Sequence, residues 1–193
     1  MTPLSENELL EILRQSGALL EGHFILTSGR HSAQYIEKFR VLEQPHYTEM
    51  LCKAIAENFR SDNITVVVGP MTGGILLAYE VGKQLGTKAI FTERVDGKMQ
   101  FRRGFSLSTA DRVLIVEDII TTGGSVMEVI DVVQQTGATI AGLGYLVDRS
   151  GGVKFPVPSK PLLTIDVVTY AADACPLCAA GSVAMKPGSS GKK

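Results

Sequence analysis

The sequence predicts an α/β fold, a parallel sheet flanked by helices with a small N-terminal unit in front of it. Three observations carry that prediction. From residue 64 onward, short apolar runs alternate with stretches of helical period. The runs "ITVVVGP", "KAIFTER", "RVLIVED" and "TIAGLGYLVDR" are apolar at consecutive positions, as strands covered on both faces need to be. The chain has 193 residues, 45% of them hydrophobic, enough to bury a full core, and we find no repeat or linker that would divide it. We therefore expect a single domain over 1–193, with residues 1–44 as an N-terminal helix and cap and 186–193 as a flexible tail.

Each element has a local signal. "LSENELLEILRQSG" opens with a capping box, Ser5 as N-cap and Glu8 three residues on. Leu4 and Leu9 suit a hydrophobic staple, and Gly17 suits the C-terminal stop. "TSGRHS" (27–32) reads as a turn and "AQYIEKFRVL" as a strand. "PHYTEMLCKAIAENFR" reads as a helix with Pro45 in its first turn. "GGILLAYEVGKQLG" and "SVMEVIDVVQQTG" are helical, and Val95 to about Ala110 is a polar, glycine-containing stretch. "LLTIDVVTY" adds one more strand, and "KPGSSGKK" a frayed end.

Composition excludes several function classes. A net charge of −1 argues against a general nucleic-acid binder and against a basic membrane surface. Three cysteines do not suggest a disulfide framework. No apolar run spans a membrane and the acidic N-terminus does not resemble a secretory signal, so a cytoplasmic location is expected.

"VLIVEDIITTGGSV" (113–126) carries the chemistry. An apolar strand runs into two acids, Glu117 and Asp118, then Ile119 and Ile120, then Thr121, Thr122, Gly123, Gly124 and Ser125, then a helix. In an open α/β sheet, ligands bind beyond the carboxyl ends of strands at the switch point in strand order. Glycines let backbone N–H groups turn inward, the helix N-terminus adds partial positive charge, and the hydroxyls donate hydrogen bonds. Together they form a cradle for a phosphate monoester. Carboxylates repel a phosphate but suit sugar hydroxyls, or magnesium held between a sugar and a polyphosphate. The pattern describes a ribose 5-phosphate site at a strand end facing solvent.

"EDIITTGGS" resembles the phosphoribosyl-pyrophosphate-binding signature of the type I phosphoribosyltransferases. Further segments resemble the orotate phosphoribosyltransferase family, in its short bacterial form, over nearly the whole chain. "TSGRHSAQYIEKFRVL" is similar to that family's N-terminal hood, and "VVGPMTGGILLA" to its pyrophosphate loop. "TERVDGKMQFRRGF" lies where the family keeps a mobile catalytic loop, "VDRSGG" where an arginine meets the orotate carboxylate, and "CPLCAAG…KPGS" is similar to its ending.

The resemblance implies transfer of phosphoribosyl from phosphoribosyl pyrophosphate to orotate, giving orotidine 5'-monophosphate for UMP biosynthesis. It implies Mg2+ held mainly through substrate with no direct protein ligand, and a cytoplasmic homodimer with shared active sites that binds neither nucleic acid nor membrane. Carried over residue by residue, Lys98, Asp118 and Glu117 are catalytic. Arg94, Lys98 and the stretch from Glu117 to Ser125 bind the donor, and Thr121 and Arg149 bind orotate. Arg149 also makes sense alone, because a guanidinium pairs with a carboxylate in bidentate fashion. The chain departs from the family's usual residues at Thr27, Gly73 and Gln100, where lysine, lysine and histidine are common.

Two alternatives belong beside this reading. A purine-type enzyme would lack the hood and the "VDR" end. A ribose-phosphate-sensing regulator of the same fold would need a basic surface or a DNA-binding extension. Finally, "CPLC" (Cys175–Cys178) has zinc-knuckle spacing but no second cysteine pair. Cys52 and His23, His31 or His46 are possible further ligands, yet on count alone a reduced pair near a surface tail is the favoured reading.

Overall fold

The computed structural model describes residues 4–187. The N-terminal helix α1 (Glu6–Gln15) forms as the capping box dictates. Ser5 Oγ accepts from the Glu8 N–H at 3.3 Å, and the Glu8 carboxylate accepts from the Ser5 N–H at 2.8 Å. Leu4 and Leu9 join one apolar cluster, and Gly17 follows the C-cap at φ +71°. Strands β1 (Leu19–Ile25) and β2 (His31–Ile36) then pair antiparallel.

The sequence reading placed a continuous strand through "AQYIEKFRVL"; the strand ends at Ile36 and Phe39–Leu42 is a short helix, α2. That turn lets Val41 and Leu42 bury together, which a continued strand of alternating faces would not allow. Helix α3 (Pro45–Asn58) starts with its proline in the first turn.

Strand β3 (Val66–Pro70), helix α4 (Gly73–Leu85), β4 (Lys88–Val95), β5 (Lys98–Phe101), β6 (Arg112–Ile120), α5 (Gly124–Gln134), β7 (Thr139–Asp148) and β8 (Ser159–Thr164) make the body of the molecule. The sheet order is β5-β4-β3-β6-β7-β8, parallel except for the β4–β5 hairpin. On β6, Leu114 and Val116 enter the cluster containing Ile55 and Leu77 of α3 and α4. Val113 and Ile115 enter the one containing Val129 and Ile130 of α5. Alternate residues thus feed cores on opposite faces, which is why the strand reads as an unbroken apolar run.

Two expectations change. "LLTIDVVTY" is split between sheets: β8 joins the main sheet, whereas β9 (Thr169–Tyr170) pairs with β2 to complete a three-stranded hood, β1-β2-β9. The polar stretch after Val95 contains β5, closed by Asp96 and Gly97, both at positive φ as a two-residue hairpin turn requires. Beyond β9, a short helix α6 (Pro176–Ala179) leads to Met185, which bridges to Phe24 on β1. The chain is therefore tied down to residue 185; of the expected tail, 188–193 lie outside the described residues.

Candidate active site

The chain passes from β3 to β4 on one side of the sheet and from β6 to β7 on the other, so the order reverses between β3 and β6. Their pairing ends at Val68–Ile115, two residues before Glu117. Beyond it the strands part, and the segments that follow them enclose a cleft. Pro70, Met71, Thr72 and Gly73 form one wall, and Glu117 to Val126 the other, around a volume of about 170 Å³. A Cβ at Gly73 would overlap Asp118 Oδ2, so only glycine brings this wall so close to the acid.

The acids do not face solvent. β6 continues two residues past Asp118, and Glu117 and Asp118 are 8% and 1% exposed. Lys38, just before α2, reaches across the cleft. Its Nζ donates a 2.9 Å hydrogen bond to Asp118 Oδ1 and lies 2.7 Å from Oδ2 as an ion pair, with no well-directed hydrogen bond to that second oxygen. The Ile119 N–H donates to Asp118 Oδ1 at 2.6 Å, and the Asp118 N–H to Glu117 Oε1 at 3.0 Å. Burial, and then the neighbouring Asp118 charge, push the Glu117 pKa up to about 8, against the pull of that N–H bond and of Lys38.

Thr121, Thr122 and Gly123 make the turn into α5. Gly123 is the N-cap at φ +76°, where a Cβ would also press on the Phe155 ring at 3.0 Å. No side chain caps α5 and no acid lies in its first turn, which leaves its N–H groups for a ligand.

A second cavity of about 1090 Å³ shares Lys38, Asp118, Thr121 and Thr122 with the cleft and extends beneath the hood to Thr27, Ser28, Tyr35 and Arg149. Arg149 follows β7, its N–H bonded to the Ile120 carbonyl at 2.8 Å. Its Nε is buried without a partner among the described residues, and burial lowers the guanidinium pKa while Tyr35 opposes that shift. A cation held this way favours an anionic ligand.

The structure thus brings together Glu117 through Ser125 and Arg149. It does not bring Arg94 or Lys98 to either cavity. Arg94 Nη1 pairs with Glu128 of α5 at 2.7 Å and donates to the Gly97 carbonyl at 2.8 Å. Lys98 is exposed on the edge strand β5. Arg103, which follows β5, pairs with Glu93 at 2.6 Å. Sequence reading missed Lys38 and Tyr35; each lies in the quoted hood segment, but only the fold brings them to Asp118 and Arg149.

The phosphoribosyl transferase domain family matches residues 41–166. The chain is 50% identical over 187 residues to the orotate phosphoribosyltransferase of Pelotomaculum thermopropionicum, covering 96% of this chain and 98% of the relative. It is also 50% identical over 187 residues to that of Chlorobaculum parvum, covering 96% and 97%. Among solved structures it superposes on orotate phosphoribosyltransferase from Aeropyrum pernix with a TM-score of 0.70 at 27% identity, over 81% of this chain and 93% of the other. Adenine phosphoribosyltransferase from Rhodothermus marinus, at 24% identity and TM-score 0.65, shares the fold over 82% of this chain and 99% of its own. With its signature lining a cleft at the sheet's switch point, the chain belongs to the phosphoribosyl transferase family, among the orotate phosphoribosyltransferases.

Proposed function

We propose that this protein transfers the 5-phosphoribosyl group of phosphoribosyl pyrophosphate to orotate, giving orotidine 5'-monophosphate and pyrophosphate. One observation carries the choice of base: Arg149, a cation whose buried Nε has no hydrogen-bond partner among the described residues, lines a cavity continuous with the phosphate cradle. The ribose phosphate seats on the turn Thr121–Ser125 and the N-terminus of α5. Asp118 and Glu117 take the ribose hydroxyls. Arg149 and Thr121 hold orotate under the hood.

A ring nitrogen of orotate then forms a bond to the anomeric carbon as the bond from that carbon to the pyrophosphate oxygen breaks; the electron pair leaves with pyrophosphate, which also takes up the proton that the nitrogen gives up. Positive charge grows on the ribose ring in the transition state, and the carboxylate of Asp118 favours it. Lys38, on the pyrophosphate-loop side of the cleft, supplies positive charge to the leaving group where Gly73 and Gln100 offer none.

Magnesium fits the donor set. Asp118 Oδ2, 2.7 Å from Lys38 Nζ, accepts no directed hydrogen bond among the described residues, and magnesium held mainly through the donor's own oxygens would sit beside that carboxylate. When bound with the donor, it neutralises the leaving diphosphate.

The reading includes a cytoplasmic homodimer in which the β4–β5 hairpin serves the neighbour's site. Lys98 is exposed and outside its own cleft, and Leu76 and Tyr79, one turn apart on α4, leave apolar surface uncovered. No helix among the described residues is long and apolar enough to cross a membrane.

The decisive assay follows orotate absorbance with donor and magnesium, with uracil and adenine as alternative acceptors. Consumption of orotate alone is expected. Turnover of adenine but not orotate would overturn the assignment.

A further inference from the structure

His23, His31, Cys175 and Cys178 place one ring nitrogen or sulfur each within 4.8 Å of one another. His23 sits where the β1–β2 register slips by one residue, between Glu21 and Phe24, a bulge of the kind that re-aims a side chain. His31 is the first residue of β2. Cys175 and Cys178 flank the first turn of α6. Some 150 residues of chain separate the two pairs, so the spacing of "CPLC" gave no hint that histidines complete it. Cys52 is buried within α3 and His46 is exposed on that helix; neither joins the cluster.

Hydrogen bonding does not account for this convergence. His23 Nδ1 lies 3.1 Å from the carbonyl oxygen of Ser182, an acceptor only, so Nδ1 carries the proton and Nε2 of the neutral ring offers one lone pair. Three groups crowd that nitrogen: His31 Nδ1 at 2.9 Å, Cys175 Sγ at 3.5 Å and Cys178 Sγ at 3.7 Å. One lone pair cannot satisfy three donors. A cation at their centre satisfies all four groups at once.

The spacing agrees with a particular cation. Zinc bonds of about 2.3 Å to sulfur and about 2.0–2.1 Å to nitrogen, arranged tetrahedrally, set sulfur and nitrogen about 3.6 Å apart. The three sulfur–nitrogen distances recorded here are 3.4, 3.5 and 3.7 Å. The two nitrogens, at 2.9 Å, need to part by about 0.4 Å. Ser182 supplies the outer partner that metal-bound histidines carry, and Met185 brackets the His23 backbone, with Met185 N–H donating to the His23 carbonyl at 2.8 Å. Two thiolates and two imidazoles select zinc over magnesium or calcium.

We propose that these four residues bind one Zn2+ per chain, a closed structural site separate from the catalytic cleft. Four protein ligands, three of them on buried residues, leave no position for a substrate. The metal ties the C-terminal segment to the hood. It also clamps both ends of the β1–β2 turn, whose Thr27 and Ser28 line the larger cavity.

The test is metal content, which does not depend on the reaction. Protein purified under reducing conditions, without chelator, from zinc-supplemented cells should carry one zinc per chain by mass spectrometry. Replacement by Co2+ should give intense tetrahedral d–d bands and thiolate charge-transfer bands. The variant Cys175→Ser with Cys178→Ser should fall below about a tenth of a zinc per chain, while His46→Ala keeps full occupancy. The cobalt titration uses the unaltered chain, so it reads the site even if the double variant misfolds. A reduced wild-type chain that binds neither zinc nor cobalt overturns the proposal, whether or not a Cys175–Cys178 disulfide is found beforehand. Full occupancy in the double variant overturns it equally.

Discussion

The cradle at the end of β6 and the cavity beneath the hood share Lys38, Asp118 and Thr121, yet they are assembled in opposite ways. One wall of the cradle is a single run of ten residues, Glu117 to Val126, aimed by one strand and one helix. The hood cavity draws Thr27 from a turn, Tyr35 from β2, Arg149 from the end of β7 and Thr169 from β9. The first has a whole wall that is contiguous in sequence, whereas the second exists only when four distant segments meet. A site of the first kind can be handed intact from one reaction to another. A site of the second kind decides which acceptor is used.

The largest expected effect tests that division. Arg149→Ala should weaken orotate binding by about 2–5 kcal/mol, the range for breaking a buried charge pair. Affinity for phosphoribosyl pyrophosphate should stay as it was, because Arg149 does not line the cradle. Calorimetry with each ligand separates the two. Equal weakening of both would mean that the cavities are one energetic unit and that the comparison fails.

Asp118→Asn comes next, with turnover falling on the order of 100-fold, the scale of removing one positioned electrostatic group. Asp118 is buried, but its partner Lys38 has a side chain 36% exposed and free to turn to solvent. Thermal stability should therefore move far less than turnover. Wild-type turnover with a lowered melting temperature would make Asp118 a structural residue.

The hairpin contrasts with both cavities, since its cations lie outside them. If Lys98 serves the neighbouring subunit, Lys98→Ala and Asp118→Asn chains are each inactive as homodimers. Refolded together in equal amounts, about half the dimers are mixed and each holds one intact site, so activity returns to about a quarter of wild type. Confirmed subunit exchange without recovery would confine Lys98 to its own chain or remove it from the reaction.

What could be read in the sequence follows the same division. The parallel sheet was legible because strands buried on both faces have no polar alternation, and the cradle because its residues are consecutive. The break at Ile36 was not legible: "AQYIEKFRVL" has strand-like composition throughout, and only the packing of Val41 and Leu42 decides for a helix. Nor was Lys38, since nothing in "IEKF" marks a lysine that will cross to an aspartate 80 residues away. The depth of the acids was misjudged because "EDII" reads as a strand ending in solvent, whereas β6 runs on through Ile120, and Lys38 and Gly73 close over Asp118.

That depth gives the smallest effect and the sharpest reading of the cradle. Glu117 is held near pKa 8 in the folded chain, against about 4.5 for an ordinary glutamate. Between those values the folded chain keeps a proton that the unfolded chain has lost. Stability of the ligand-free protein should therefore fall as pH rises from about 4.5 to about 8, by up to about 1.4 kcal/mol per pH unit for one proton. Below that window both states are protonated and the dependence vanishes; above it the full cost of the buried charge is present. Glu117→Gln cannot titrate, so the difference in unfolding free energy between variant and wild type, from urea denaturation at pH 5 to 8.5, isolates this group from all others. The variant should gain on wild type steadily across the range. Lys38→Met removes the cation that pulls the Glu117 pKa down, so it should carry the window to higher pH. A difference that stays level with pH would mean that Glu117 is ionised throughout, and that the cradle presents two charges to the ribose before any ligand arrives.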